Sequence, residues 1–102
     1  MGLMRTLIMC LVLALACPLA APAADAKALY ARCAGCHGAD GGKTALGVGK
    51  PLKGMSAQEV ARYLQGYKAK AIGGPQKAIM EAQAALLSDQ DIQALAALIS
   101  QF

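Results

Sequence analysis

The chain has 102 residues, 57% of them hydrophobic, and a formal net charge of +4. That length admits one small domain and excludes a second. The apolar residues are concentrated at the start. Arg5 gives a positive leading region, residues 7–16 are apolar throughout, and Pro18, Pro22 and the small pair Ala21 and Ala23 follow. This is the layout of a secretory signal peptide, with cleavage expected after Ala23. An uncleaved membrane anchor is the alternative, but a span needs ~20 apolar residues and two prolines interrupt this run. Lipid attachment at Cys17 is a weaker option, because Ala14, Leu15 and Ala16 match a lipobox poorly.

Removing residues 1–23 leaves 24–102 as the mature domain, with nine basic residues against six acidic. Its only cysteines are then Cys33 and Cys36, and its only histidine is His37. A domain of this size buries little surface and commonly needs a staple: a metal, a cofactor or disulfides. Two cysteines three residues apart cannot close a long loop, so a staple of another kind is expected.

The mature chain reads as all-α. Asp25 can cap a helix over residues 26–36 that sets Leu29, Tyr30 and Cys33 on one face. Residues 38–54 are rich in glycine and read as loop. Ser56 to Glu59 has the spacing of a capping box. Behind it Val60, Tyr63, Leu64 and Tyr67 recur at helical intervals. Gly73, Gly74 and Pro75 break the chain before a short helix over 76–86. Ser88 and Asp91 mark a last helix with Ile92, Leu95, Leu98, Ile99 and Phe102 on one stripe. So long a loop in so small a domain needs something to wrap, and a flat apolar cofactor the size of a haem would serve.

Cys33, Ala34, Gly35, Cys36 and His37 spell C-x-x-C-H, the attachment signature of c-type haem. Residues at i and i+3 share a helix face, so both thiols can reach the vinyl groups along one haem edge. His37 then turns its imidazole to the iron. Small residues at 34 and 35 let the porphyrin approach the backbone. Two other readings are weaker. A thioredoxin-like C-x-x-C needs a βαβ scaffold that this chain lacks. A zinc site needs four ligands, and only three stand here, crowded together. With no second histidine, the sixth iron ligand is Met, Lys, Tyr, the amino terminus or nothing. Met55 lies 18 residues past His37 and Met80 lies 43 past it, beyond the Gly73–Gly74–Pro75 turn. Met80 is favoured, because that turn can carry the chain to the other haem face; ordinary packing is the alternative for either.

The mature chain resembles class I cytochromes c, especially the small soluble bacterial kind. Residues 24–30 are similar to the family's first helix, 33–41 to its haem site, 50–54 to its proline loop, and 73–80 with 87–95 to its methionine segment and last helix. The resemblance implies a small cytochrome c fold, roughly three to five short helices around one covalent haem c and its iron. It implies His37 and Met80 as axial ligands. It also implies that the Pro51 carbonyl accepts the Nδ1 proton of His37, and that the first and last helices cross, packing Leu29 and Tyr30 against Leu95, Leu98 and Ile99. Many relatives place a proline beside the methionine; here Ile79 and Glu81 flank it. Tyr67 is expected either as a core aromatic or with its hydroxyl near the haem or its sixth ligand.

With both axial positions filled by protein, no site is left for a substrate. The expected protein is an exported, periplasmic electron carrier and not an enzyme. The rival is a haem enzyme or gas sensor whose sixth position is vacant or labile; with no distal histidine and no arginine but Arg32 and Arg62 in the mature chain, a pocket to activate peroxide is hard to build. The expected partners are redox proteins, donors and acceptors, with acidic docking surfaces facing Lys50, Lys53, Lys68, Lys70 and Lys77. No nucleic acid, no stable membrane insertion after cleavage, and a monomeric state are expected.

Overall fold

The structure, a computed structural model, describes residues 25–102. The expected signal segment, its cleavage site and Cys17 lie outside the described residues. Within them the chain is helical: α1 (Ala26–His37), a 3-10 turn (Ala45–Gly47), α2 (Ala57–Lys68), α3 (Lys77–Ala85) and α4 (Asp89–Ile99).

Side-chain caps start three of these helices. Asp25 accepts the amide of Ala28 at 3.3 Å, and Ser56 that of Glu59 at 3.1 Å. Ser88 and Asp91 close a reciprocal capping box, each backbone N–H donating to the other's side chain at 3.0 Å. The box expected at Ser56 is only half made. The Glu59 carboxylate takes the Ser56 hydroxyl, at 3.3 Å, instead of the Ser56 amide. Helix α1 also runs one residue further than its spacing indicates, so that His37 is its last residue.

One apolar cluster joins the helices: Tyr30 from α1, Val60 from α2, Leu87, and Ile92, Leu95, Ala96 and Ile99 from α4. Ile92 and Leu95 are the largest side chains fully removed from water, each contributing about 1.5–3 kcal/mol by burial. Helix α4 packs on α1 and α2, and α3 packs on α2. Leu29 and Leu98 border the cluster as half-buried neighbours, so the first and last helices meet through the residues expected of them.

The loop after α1 is fastened to this core at Gly41. Its carbonyl accepts the amides of Leu52 at 2.8 Å and Lys53 at 3.0 Å. Its φ is +69°, and a Cβ there would stand 2.9 Å from Phe102 Cδ2 and 3.0 Å from Leu52 Cβ. Only glycine satisfies both the left-handed backbone and the close approach. Phe102 in turn meets the Tyr30 ring edge-on, with centroids 5.0 Å apart.

Candidate functional site

Cys33, Cys36 and His37 all lie in the second half of α1. Cys33 is half-buried and borders the core, with its thiol 4.0 Å from the Leu29 carbonyl. Burial pushes the Cys33 thiol above its ordinary pKa, with Arg32 pulling the other way. Cys36, one turn on, is exposed, and both thiols are free. Two thiols one turn apart, at the margin of the core, can anchor one edge of a flat group.

His37 is half-buried, and burial lowers its pKa from the ordinary 6.5. The ring is thereby kept neutral, the form that donates a lone pair to a metal. Its Nδ1 is buried with no hydrogen-bond partner. The bond expected from Nδ1 to the Pro51 carbonyl is therefore not formed in this structure. Pro51 is exposed, and the backbone beside it is held by the Gly41 carbonyl. An orphaned ring nitrogen at this depth fits a ligating histidine, which needs an acceptor for its second nitrogen once the first is bound to metal. Among the described residues no three His, Cys, Asp or Glu side chains converge to hold a metal ion by themselves. Cys33, Cys36 and His37 thus point away from zinc and towards a group that brings its own chelate.

The two methionines sit differently. Met55 packs against the core cluster. Met80 is half-buried on α3, between Ile79, which is 47% exposed, and Glu81. Tyr67 is half-buried near the end of α2. The contact the structure shows is made by its ring: a Cβ on Gly73 would stand 2.9 Å from Tyr67 Cε1. The aromatic thus packs where the chain turns back towards α3.

The charge pattern differs from the expected lysine edge in two places. Lys53 pairs with Asp40 at 3.3 Å, and Lys68 with Asp89 at 3.7 Å. Asp89 also accepts from the Gln65 amide at 3.1 Å. The amide of Gly42 and the Lys53 ammonium together hold the Asp40 carboxyl below its usual range. Asp40 and Asp89 lie far from these lysines along the chain, so both pairings are products of the fold. Lys50, Lys70 and Lys77 are left with no ion pair among the described residues.

Two features carried no sequence signal. The buried Tyr30 hydroxyl donates to the Gly38 carbonyl at 2.5 Å. Lys70, just past α2, has φ +56°, where glycine would be the ordinary choice.

An all-helical domain of this size, with two thiols and a neutral imidazole on one end of its first helix, is of the kind that carries covalent haem. The family model described as Cytochrome c matches residues 23–102. The chain is 46% identical over 82 residues to "Cytochrome c-553" of Nitratidesulfovibrio vulgaris (strain DSM 19637 / Miyazaki F), covering 80% of each. It is 45% identical over 74 residues to the protein of the same name from Desulfomicrobium norvegicum (strain DSM 1741 / NCIMB 8310), covering 72% of this chain and 90% of the relative. The corresponding figures for Helicobacter pylori (strain ATCC 700392 / 26695) are 47% over 74 residues, 72% and 74%. The chain belongs to the cytochrome c family. It is a small class I monohaem cytochrome with one covalently bound haem c, and an electron carrier.

Proposed function

We propose that the protein is a periplasmic carrier that passes one electron at a time between larger redox proteins, with His37 and Met80 as axial ligands. The haem iron supplies the one-electron couple. Cys33 and Cys36 hold the group by thioether bonds from one face of α1, and His37 offers Nε2. For the loaded protein we assign the Pro51 carbonyl as acceptor of the His37 Nδ1 proton, which would fix the ring and raise its basicity. To Tyr67, whose ring meets Gly73 in the turn before α3, we assign a hydroxyl close to the haem or its sixth ligand.

The observation that carries the ligand assignment is the contrast between the methionines. Met55 is engaged in the core, whereas Met80 stands outside that cluster on a helix reached through a tight turn. A thioether as sixth ligand raises the potential relative to a second imidazole, and filling both axial positions leaves no place for a substrate. The unpaired Lys50, Lys70 and Lys77 suit a partner with an acidic docking face. No helix among the described residues is long and apolar enough to cross a membrane, which accords with release as a soluble monomer after export.

Exchange of each methionine tests the assignment. Met80→Ala should abolish the sulfur-to-iron charge-transfer band of the oxidised protein and lower the midpoint potential, while Met55→Ala leaves both in place. Survival of the band in Met80→Ala, with loss in Met55→Ala, would reverse the choice. Rapid stoichiometric binding of carbon monoxide to the reduced wild-type protein would replace the carrier with an open-site haem protein.

A further inference from the structure

The segment between α2 and α3 runs through two close approaches, each made at a glycine. At the first, Ile72 sits on α2 over Gly66. A Cβ on Gly66 would stand 2.7 Å from Ile72 Cδ1 and 2.8 Å from its Cγ1, and the Ala71 amide donates to the Gly66 carbonyl at 2.9 Å. Ile72 is half-buried there, while Ala71 and Gly73 on either side of it are exposed. One side chain therefore anchors the segment to α2, and a glycine provides the notch that receives it.

At the second approach, Gly73 lies between Tyr67 and the first turn of α3. A Cβ on Gly73 would stand 2.9 Å from Tyr67 Cε1, 2.5 Å from Lys77 Cβ and 3.5 Å from Lys77 Cα. Its φ is +114°, a backbone that glycine alone adopts readily. The Tyr67 ring can tilt away from such a carbon. Lys77 Cβ cannot, because it is bonded to the helix backbone, and the Lys77 amide is tied to the Gly74 carbonyl at 3.0 Å. With Ile72 seated on α2, the segment has no room to retreat on its other side. A side chain at position 73 therefore presses on the start of α3. Met80 stands one turn beyond Lys77 on the same face of that helix.

We infer that Gly73 is a positioning residue for the sixth iron ligand: it lets α3 close to the depth at which Met80 meets the iron, and Ile72 in the Gly66 notch holds the segment against which α3 closes. The inference rests on Met80 being that ligand. The next residue supplies the contrast. A Cβ on Gly74 would meet nothing within 4 Å, and its φ is not positive.

Imidazole added to the oxidised, haem-loaded protein reads the effect. It binds the iron only where the sulfur has left, so its apparent affinity follows the fraction of molecules in that state. Gly73→Ala should raise the imidazole affinity by about tenfold, the factor that release of backbone strain of this kind supplies, and should weaken the sulfur-to-iron band. Ile72→Ala empties the notch without straining the backbone, and should raise the affinity in the same direction by less. Gly74→Ala should match the wild type. Ile99→Val loosens the α1–α4 core away from this segment, and should lower thermal stability with imidazole affinity unchanged. Wild-type affinity in Gly73→Ala overturns the inference; if that variant does not load haem, wild-type affinity in Ile72→Ala does so. An equal rise in Gly74→Ala or Ile99→Val also overturns it. Absence of the sulfur-to-iron band from the wild-type protein would instead refute the Met80 assignment, and the inference with it, before any variant is compared.

Discussion

Helix α2 ends in a Schellman motif with an unusual residue at its turning point. The Lys70 amide donates to the Tyr67 carbonyl at 3.0 Å and the Ala71 amide to the Gly66 carbonyl at 2.9 Å, the two bonds that define the motif. The residue between them must be left-handed, and Lys70 is, at φ +56°. A side chain there costs about 1–2 kcal/mol relative to right-handed backbone. Glycine removes that cost but returns about 0.5–1 kcal/mol through the greater freedom of the unfolded chain. The Lys70 side chain is exposed and makes no ion pair among the described residues, so its loss adds little. Lys70→Gly should therefore stabilise the protein by about 0.5–1 kcal/mol, raising Tm by about 2–8 °C for a domain of this size. Lys70→Ala, which deletes the amine and keeps the strained backbone, should give no such gain. Thermal melts of the haem-loaded proteins followed by circular dichroism decide. A Tm for Lys70→Gly at or below wild type, or an equal rise in Lys70→Ala, refutes the reasoning.

Replacing both Cys33 and Cys36 by alanine should abolish covalent haem and leave the chain largely unfolded, because the remaining core is small; a cooperative helical melt of the double variant would contradict this. Changing Lys50, Lys70 and Lys77 to glutamine should slow electron transfer to an acidic partner at low salt and flatten the fall of the rate with rising ionic strength, since rim charges act on association and are screened within ~10 Å at ~0.1 M salt; a salt-independent wild-type rate would remove the lysine contribution. Asp40 is held below its ordinary value of 3.8. Its contribution is therefore whole above that value and lost as the pH falls through the lower folded one. Asp40→Asn should be less stable than wild type at about pH 6, and the difference should shrink as the pH falls below about 4, as read by denaturant midpoints.

The helices were legible because their signals are local. Asp25, Ser56 and Ser88 each cap the helix that their spacing announces, and the stripe of Ile92, Leu95 and Ile99 is the one that is buried. C-x-x-C-H was legible for the same reason: its chemistry depends on residues within one turn. What escaped depends on pairings across the fold. Asp40 and Lys53 are brought together by the Gly41 carbonyl, which folds residues 52–53 back on the loop, and no spacing rule links them. Lys70 escaped because a lysine carries no sign of left-handed backbone. Tyr30 was read as core, which it is, yet its apolar surroundings hid the hydroxyl that reaches Gly38.

The seam between Tyr30, Gly41 and Phe102 also bears on the order of events during assembly. Tyr30 and Phe102 are 72 positions apart in the chain, and the loop that follows His37 is seated in part where Phe102 meets Gly41. Contacts of such separation form late, because the intervening chain must first be closed into a loop. Closing the 72 intervening positions into one seam is therefore the step that brings the loop beyond His37 against the core.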